Sequence, residues 1–134
     1  MHQDLEFFRG KRVFVTGHTG FKGTWLTTWL LNLGANVIGV SKNVPTQPSM
    51  FNILKISNKI QHCIVDIRDF ELLSQVVSDE KPDFVFHLAA QAIVSTSYSD
   101  PLETVSSNVM GTTNLLGALR ISNHQCTAII ITSD

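Results

Sequence analysis

Thr16-Gly17-His18-Thr19-Gly20-Phe21-Lys22-Gly23 stands between a β-rich run, Arg12-Val13-Phe14-Val15-Thr16, and a stretch of helical periodicity that opens at Phe21. Each glycine has a task in such a turn. Gly17 lets the chain bend sharply at the strand's end, Gly20 lets backbone approach a diphosphate, and Gly23 lets the following helix pack closely on the sheet. A helix beginning here aims its unpaired first amides, and the positive end of its dipole, at whatever lies over the turn. The spacing is Gly-x-x-Gly-x-x-Gly. Between a first strand and a first helix, it points to a dinucleotide-binding turn.

Working outward, Phe21 to Leu33 carries Leu26, Trp29, Leu30 and Leu33 on one apolar stripe, and Gly34 is a fitting stop. Val37 to Val40 reads as a second strand. Residues 41–58 are less regular, with Pro45 and Pro48 in a loop and a short helix between Ser49 and Lys55. Ile60 to Val65 reads as strand three. Asp69 starts a helix that turns Phe70, Leu73, Val76 and Val77 inward and stops before Pro82. Phe84 to Leu88 is a fourth strand, apolar enough to be buried on both faces. Asp100-Pro101-Leu102-Glu103 is a helix start: Asp100 caps, Pro101 suits the first position, and Glu103 can reach back as in a capping box. Behind it, Leu102, Val105, Val109, Thr112, Leu116 and Leu119 predict one long helix with a buried seam. Thr127 to Thr132 is strand five. Alternating strands and helices with short links imply one domain, residues 1–134, built on a parallel sheet with helices on both faces.

Composition removes other classes. Ten Lys plus Arg against eleven Asp plus Glu give a net charge of −1, without the basic stripe that tracking nucleic-acid phosphates requires. The most apolar stretch, Trp25 to Val40, is interrupted by Thr27, Thr28, Asn32, Gly34, Asn36 and Gly39, so no bilayer span is expected. Met1-His2-Gln3-Asp4 lacks the basic start of a signal peptide. Cys63 and Cys126 have no metal-type spacing and read as reduced thiols, which suits the cytoplasm.

The glycine turn, Asp66-Ile67-Arg68-Asp69-Phe70, His87-Leu88-Ala89-Ala90-Gln91, Asn108 and the terminal Thr132-Ser133-Asp134 together resemble the extended short-chain dehydrogenase/reductase superfamily. Within it they are most similar to the nucleotide-sugar 4,6-dehydratases that act on CDP-glucose. The resemblance covers essentially the whole chain. It implies a Rossmann-type doubly wound sheet of about five strands in the order 3-2-1-4-5. It also implies a bound NAD, with Gly17, Thr19, Gly20, Phe21, Lys22, Gly23, Ser41, Lys42, Asp66, Ile67, Leu88, Ala89, Ala90 and Gln91 around it. Hydride would leave sugar C4, water would be eliminated across C5–C6, and the hydride would return at C6, giving a 4-keto-6-deoxy sugar nucleotide. Ser133 would hydrogen-bond the C4 hydroxyl. Asp134 would protonate the departing C6 hydroxyl, a poor leaving group without a proton. Read without the resemblance, Ser133 and Asp134 could equally be a strand-end turn, Asp66 a turn cap, and Ala89 and Ala90 packing residues.

The chain also departs from that pattern. Tyr98 is followed four residues later by Leu102, so it is not the tyrosine of a Tyr-x-x-x-Lys pair, and no Lys follows Asp134. The resemblance therefore implies further chain, and these 134 residues alone are expected not to turn over CDP-glucose. Strand two is followed by Ser41 and Lys42 where an acid would hold the ribose 2′-hydroxyl of NAD, which leaves NADP open. Ala92 and Ser95 stand where relatives carry Pro and Arg, which leaves the sugar nucleotide open. The alternatives are a sugar-nucleotide epimerase or reductase of the same superfamily, or a dinucleotide-binding module without chemistry. Relatives pair through a helix bundle that includes the helix near Pro101. A homodimer is expected of the longer protein, and an exposed apolar face with self-association is expected here.

Overall fold

The computed structural model describes residues 6–132, and its strands are five. These are β1 (Arg12–Thr16), β2 (Asn36–Ser41), β3 (Gln61–Ile64), β4 (Phe84–His87) and β5 (Thr127–Ile130). All pair in parallel, in the order β3-β2-β1-β4-β5. The connecting helices are α1 (Phe21–Asn32), α2 (Met50–Ile53), α3 (Phe70–Glu80), α4 (Val94–Ser99), α5 (Pro101–Val105) and α6 (Gly111–Ser122). A 3-10 turn spans Ile56–Asn58, and a π-helical turn spans Ser106–Met110. From β1 the chain winds first toward β3 and then, from β4, the other way. The carboxyl ends of β1 and β4 thus flank the crevice in which such sheets take ligands.

Strand alternation divides the core into two layers. Phe14, Ile38, Val40 and Val85 face α3 and α6, meeting Leu73, Val77, Leu115 and Ala118. Val13, Val15 and Val37 face the other way onto Leu30 of α1, with Phe8, Phe84 and Phe86 packed beside them. Each such side chain, once fully buried, contributes roughly 1.5–3 kcal/mol relative to an exposed one. Both faces of the central strands β1 and β2 are therefore covered, as their continuous apolar runs require, while the edge strands β3 and β5 are only partly buried.

Two helix faces differ from expectation. On α1 the inward residues are Gly23, Thr24, Thr27 and Leu30, while Trp29 is 60% exposed and Trp25 points outward with it. The first turns of α1 lie so close to the glycine turn that only small side chains fit between. Trp25 and Trp29 are left on the outside, while Leu26 and Leu30 of the expected stripe pack inward. The long helix after Pro101 is also not continuous: the π-helical turn separates α5 from α6. Its buried residues are Ser107, Gly111, Leu115 and Ala118; of the expected seam, Leu102, Val105, Val109 and Leu116 face outward, whereas Thr112 and Leu119 turn toward the sheet. The helix is amphipathic, with Ser107, Gly111 and Ala118 beside Leu115 on its buried side. At Gly111 a Cβ would lie 2.7 Å from Cγ1 of Ile67, so glycine lets that isoleucine seat in the core.

Candidate functional site

The glycine turn closes over the carboxyl end of β1. Gly17 has a φ of +73°, its amide donates to the Val40 carbonyl (2.8 Å), and a Cβ there would stand 2.8 Å from the Ala89 nitrogen. Gly23 is required for a different reason from the one the sequence suggests. A Cβ there would overlap the Gly17 carbonyl oxygen and lie 2.7 Å from Cα of His18, so it packs against the turn itself and not the sheet. Gly20 differs from both. Its φ is −74°, and a Cβ would make only an ordinary contact, 3.5 Å from the Gly17 oxygen. Nothing within the described residues demands glycine there. Gly20 is also the N-cap of α1, no side chain caps the helix, and no acidic residue sits in its first turn. The helix therefore presents unpaired amides and an uncompensated positive end above an open glycine, which fits an anionic diphosphate. Phe21 and Lys22 stand exposed at the rim. Thr19 is buried, its hydroxyl meeting Ser41 Oγ (2.7 Å) and the Asn43 carbonyl (2.6 Å), and so ties the turn to the end of β2.

His18, which reads in sequence as a loop residue, is fully buried beneath the turn. Its Nε2 is 2.7 Å from Nδ1 of His62 on β3, and its ring lies so close to β2 that a Cβ at Gly39 would sit 2.5 Å from it. Burial pushes the His18 imidazole down to about 4 and lowers His62 in the same direction. The pair is neutral near pH 7, with one ring donating to the other.

The loop after β4 is held by a network whose proton positions follow from its partners. Thr112 Oγ1 donates to the Asn108 carbonyl (2.9 Å), so His87 Nε2 (2.8 Å away) must donate to Thr112. His87 Nδ1 is then the acceptor, and the Thr16 hydroxyl donates to it (2.7 Å). Thr16 Oγ1 in turn accepts from the amides of Leu88 (3.2 Å) and Ala89 (3.1 Å). Burial lowers the His87 pKa, in keeping with this neutral tautomer. Further along, Asn108 accepts from the Gln91 amide (2.7 Å) and donates to the Gln91 carbonyl (3.0 Å). Leu88, Ala89, Ala90 and Gln91 are thereby fixed alongside Gly17, with Ala90 exposed.

Beyond β2 and β3 lies a cluster of charges. Asp66 accepts from the Arg68 amide (2.9 Å) and forms a two-pronged ion pair with its guanidinium. The Arg68 hydrogen bond holds Asp66 below the usual carboxylate range. Lys42 Nζ meets Glu103 Oε1 at 2.9 Å, and Arg68 reaches the other Glu103 oxygen. The capping box after Asp100 is half made: Asp100 accepts from the Glu103 amide (3.0 Å), but the Glu103 carboxylate turns away to Lys42 and Arg68. The Ile67 side chain is buried in the core, leaving its backbone toward the crevice end of the sheet; the Ile67 carbonyl accepts from Asn114 (3.0 Å). Ser133 and Asp134 lie outside the described residues.

The turn, the Ser41-Lys42 corner, Asp66-Ile67 and the Leu88–Gln91 loop are thus brought to one edge of the sheet. Thr16, Arg68 and His87 join them from within the motifs that carry the resemblance, though without a role assigned there, and Glu103 and Thr112 from helix signals. His62 joins them from outside any motif. Among the described residues no group of three or more His, Cys, Asp or Glu could hold a metal ion, and no helix is long and apolar enough to cross a membrane.

A family model described as GDP-mannose 4,6 dehydratase matches residues 14–134. The CDP-glucose 4,6-dehydratase of Salmonella typhimurium is 49% identical over 131 residues, which are 98% of this chain and 36% of that protein. The GDP-mannose 4,6-dehydratase sdnI of Sordaria araneosa is 37% identical over 117 residues, 84% of this chain and 21% of that one. The crystal structure of Thermus thermophilus UDP-glucose 4-epimerase in complex with NAD superposes with a TM-score of 0.75 at 30% identity, covering 87% of this chain and 36% of that one. The chain spans about a third or less of the length of these relatives. With its strand order, its glycine turn and these likenesses, the chain belongs to the nucleotide-sugar 4,6-dehydratase and epimerase family of the extended short-chain dehydrogenases/reductases.

Proposed function

We propose that this chain binds NAD across the carboxyl ends of β1, β2 and β4, as the cofactor-binding part of a dehydratase that converts CDP-glucose to a 4-keto-6-deoxy product. The observation that carries the reading is the uncapped start of α1 above Gly20, where the described structure gives no reason for a glycine. An approaching diphosphate gives one. When bound, the nicotinamide supplies a place for a hydride to be held and returned. The chain's own residues do the rest. The α1 amides bind the diphosphate, the loop Leu88–Gln91 is held rigid by Thr16 and Asn108, and Phe21 covers the rim. Ser133 holds the C4 hydroxyl of the sugar, and Asp134 delivers a proton to the departing C6 oxygen.

The similarity to the Salmonella enzyme supports CDP-glucose over other sugar nucleotides. The likeness to an NAD-complexed epimerase supports a second reading, reversible oxidation at C4 without loss of water. Asp134 next to Ser133 favours the dehydratase, because epimerisation expels no hydroxyl and needs no acid there. The outward apolar face of α5 and α6 supports pairing with a second copy. Free Cys63 and Cys126 suit a cytoplasmic setting.

Calorimetric titration of the chain with NAD tests the binding reading: saturable one-to-one binding is expected, and its absence at millimolar dinucleotide would overturn it. A protein of the relatives' length carrying this segment tests the substrate. It should form a 4-keto-6-deoxy sugar from CDP-glucose, whereas an epimer without loss of water would favour the second reading.

A further inference from the structure

Strand two ends without the acid that usually holds the adenosine ribose, yet a carboxylate stands at that corner all the same. Glu103 comes from α5, and its carboxylate sits 2.9 Å from Nζ of Lys42, the residue directly after β2. Its second oxygen meets Arg68, and Ser107 Oγ lies 3.2 Å from the first. Arg68 is already paired with Asp66. The corner therefore holds two cations and two carboxylates, with no net charge to offer a further anion.

We infer that Glu103 is the residue that makes this chain select NAD over NADP, by supplying from α5 the carboxylate that β2 lacks and by occupying Lys42 and Arg68. The inference deepens the dinucleotide reading above and rests on it. A ribose 2′-hydroxyl can donate to a carboxylate at this corner. A 2′-phosphate, carrying nearly two negative charges, meets Glu103 instead of free cations and must displace it from Lys42 and Arg68. Without Glu103 the same two cations become a phosphate clamp of the kind Arg and Lys form elsewhere. The side chain is thus used for selectivity and not to complete the capping box.

The experiment measures NAD and NADP dissociation constants by titration calorimetry for the unmodified chain, Glu103→Gln and Lys42→Glu, with melting temperatures recorded alongside. The unmodified chain should bind NAD at least about tenfold more tightly than NADP. Glu103→Gln should move the ratio toward NADP by about tenfold, mostly through tighter NADP binding, and the gain should shrink as salt is raised. Lys42→Glu, on an exposed side chain, should move the ratio the other way by a similar factor. Should Glu103→Gln fold poorly, Lys42→Glu still decides. A ratio unchanged within about twofold in a folded variant overturns the role of Glu103, as does an unmodified chain that prefers NADP. Failure of the unmodified chain to bind either dinucleotide overturns the dinucleotide reading itself and this inference with it.

Discussion

Gly20 and Gly23 lie three residues apart in one motif, and the structure makes opposite demands of them. A methyl group at Gly23 would overlap the Gly17 carbonyl and press on His18 Cα, both of them backbone in a turn that cannot shift without pulling Gly17 off Ala89. Overpacking against backbone of this kind belongs at the upper end of the usual range, about 2–3 kcal/mol. For a domain of 134 residues, an unfolding entropy of roughly 0.28 kcal/mol/K makes that a fall in Tm of about 7–11 °C. Gly20→Ala meets no such obstacle. Its backbone angles suit alanine, and the weaker N-cap is offset by the lower entropy of the unfolded chain, so Tm should stay within about 3 °C. The same methyl would stand where the diphosphate must approach, and NAD affinity should fall at least about tenfold. Differential scanning calorimetry with and without NAD, on both variants, reads both effects. If Gly23→Ala melts like the unmodified chain, or Gly20→Ala binds NAD as well as it does, the assignment of the two glycines is wrong.

Further outcomes follow from the same geometry. Thr16→Val should cost about 2–3 kcal/mol in urea unfolding, because it leaves His87 Nδ1 and the Ala89 amide without their shared partner, while the Leu88 amide keeps the Thr16 carbonyl; a loss below about 0.5 kcal/mol would contradict the network. Stability should fall on acidification. His18, His62 and His87 all have lowered pKa values, so the stability they contribute is present above pH 6.5 and is lost as pH drops, for His18 down to about 4. The His18 part alone is about 3 kcal/mol, and a Tm that is flat over that window would count against a buried neutral pair. Asp66 and Glu103 lose their contribution in the same direction but at lower pH, since the Arg68 and Lys42 hydrogen bonds hold them below their ordinary values. The chain should self-associate in sedimentation runs at high concentration. Leu102→Ser combined with Val109→Ser should weaken this while moving Tm by no more than a few degrees, because both side chains are exposed.

Much of this molecule is local and so legible without coordinates. Strand identity follows from short apolar runs, helix starts from Asp69 and Asp100, and the turn from three glycines at fixed spacing, each a property of residues adjacent in the chain. The strand order and the dinucleotide edge came with the resemblance those motifs carry. What the sequence could not reveal is which side of an amphipathic helix is inward. Periodicity marks an apolar stripe on α1 and along α5 and α6, but the close approach of each helix to the core brings small residues in beside Leu30 and Leu115, Gly23-Thr24-Thr27 and Ser107-Gly111-Ala118, and turns Trp25, Trp29, Leu102, Val105, Val109 and Leu116 out. Contacts between residues far apart in sequence decided the rest. His18 meets His62 across 44 positions, Thr16 meets His87 across 71, and the carboxylate absent after strand two returns as Glu103, 61 residues beyond Lys42. A parallel sheet brings the ends of distant strands together at one edge, and the chemistry of that edge is set by side chains that no local pattern connects.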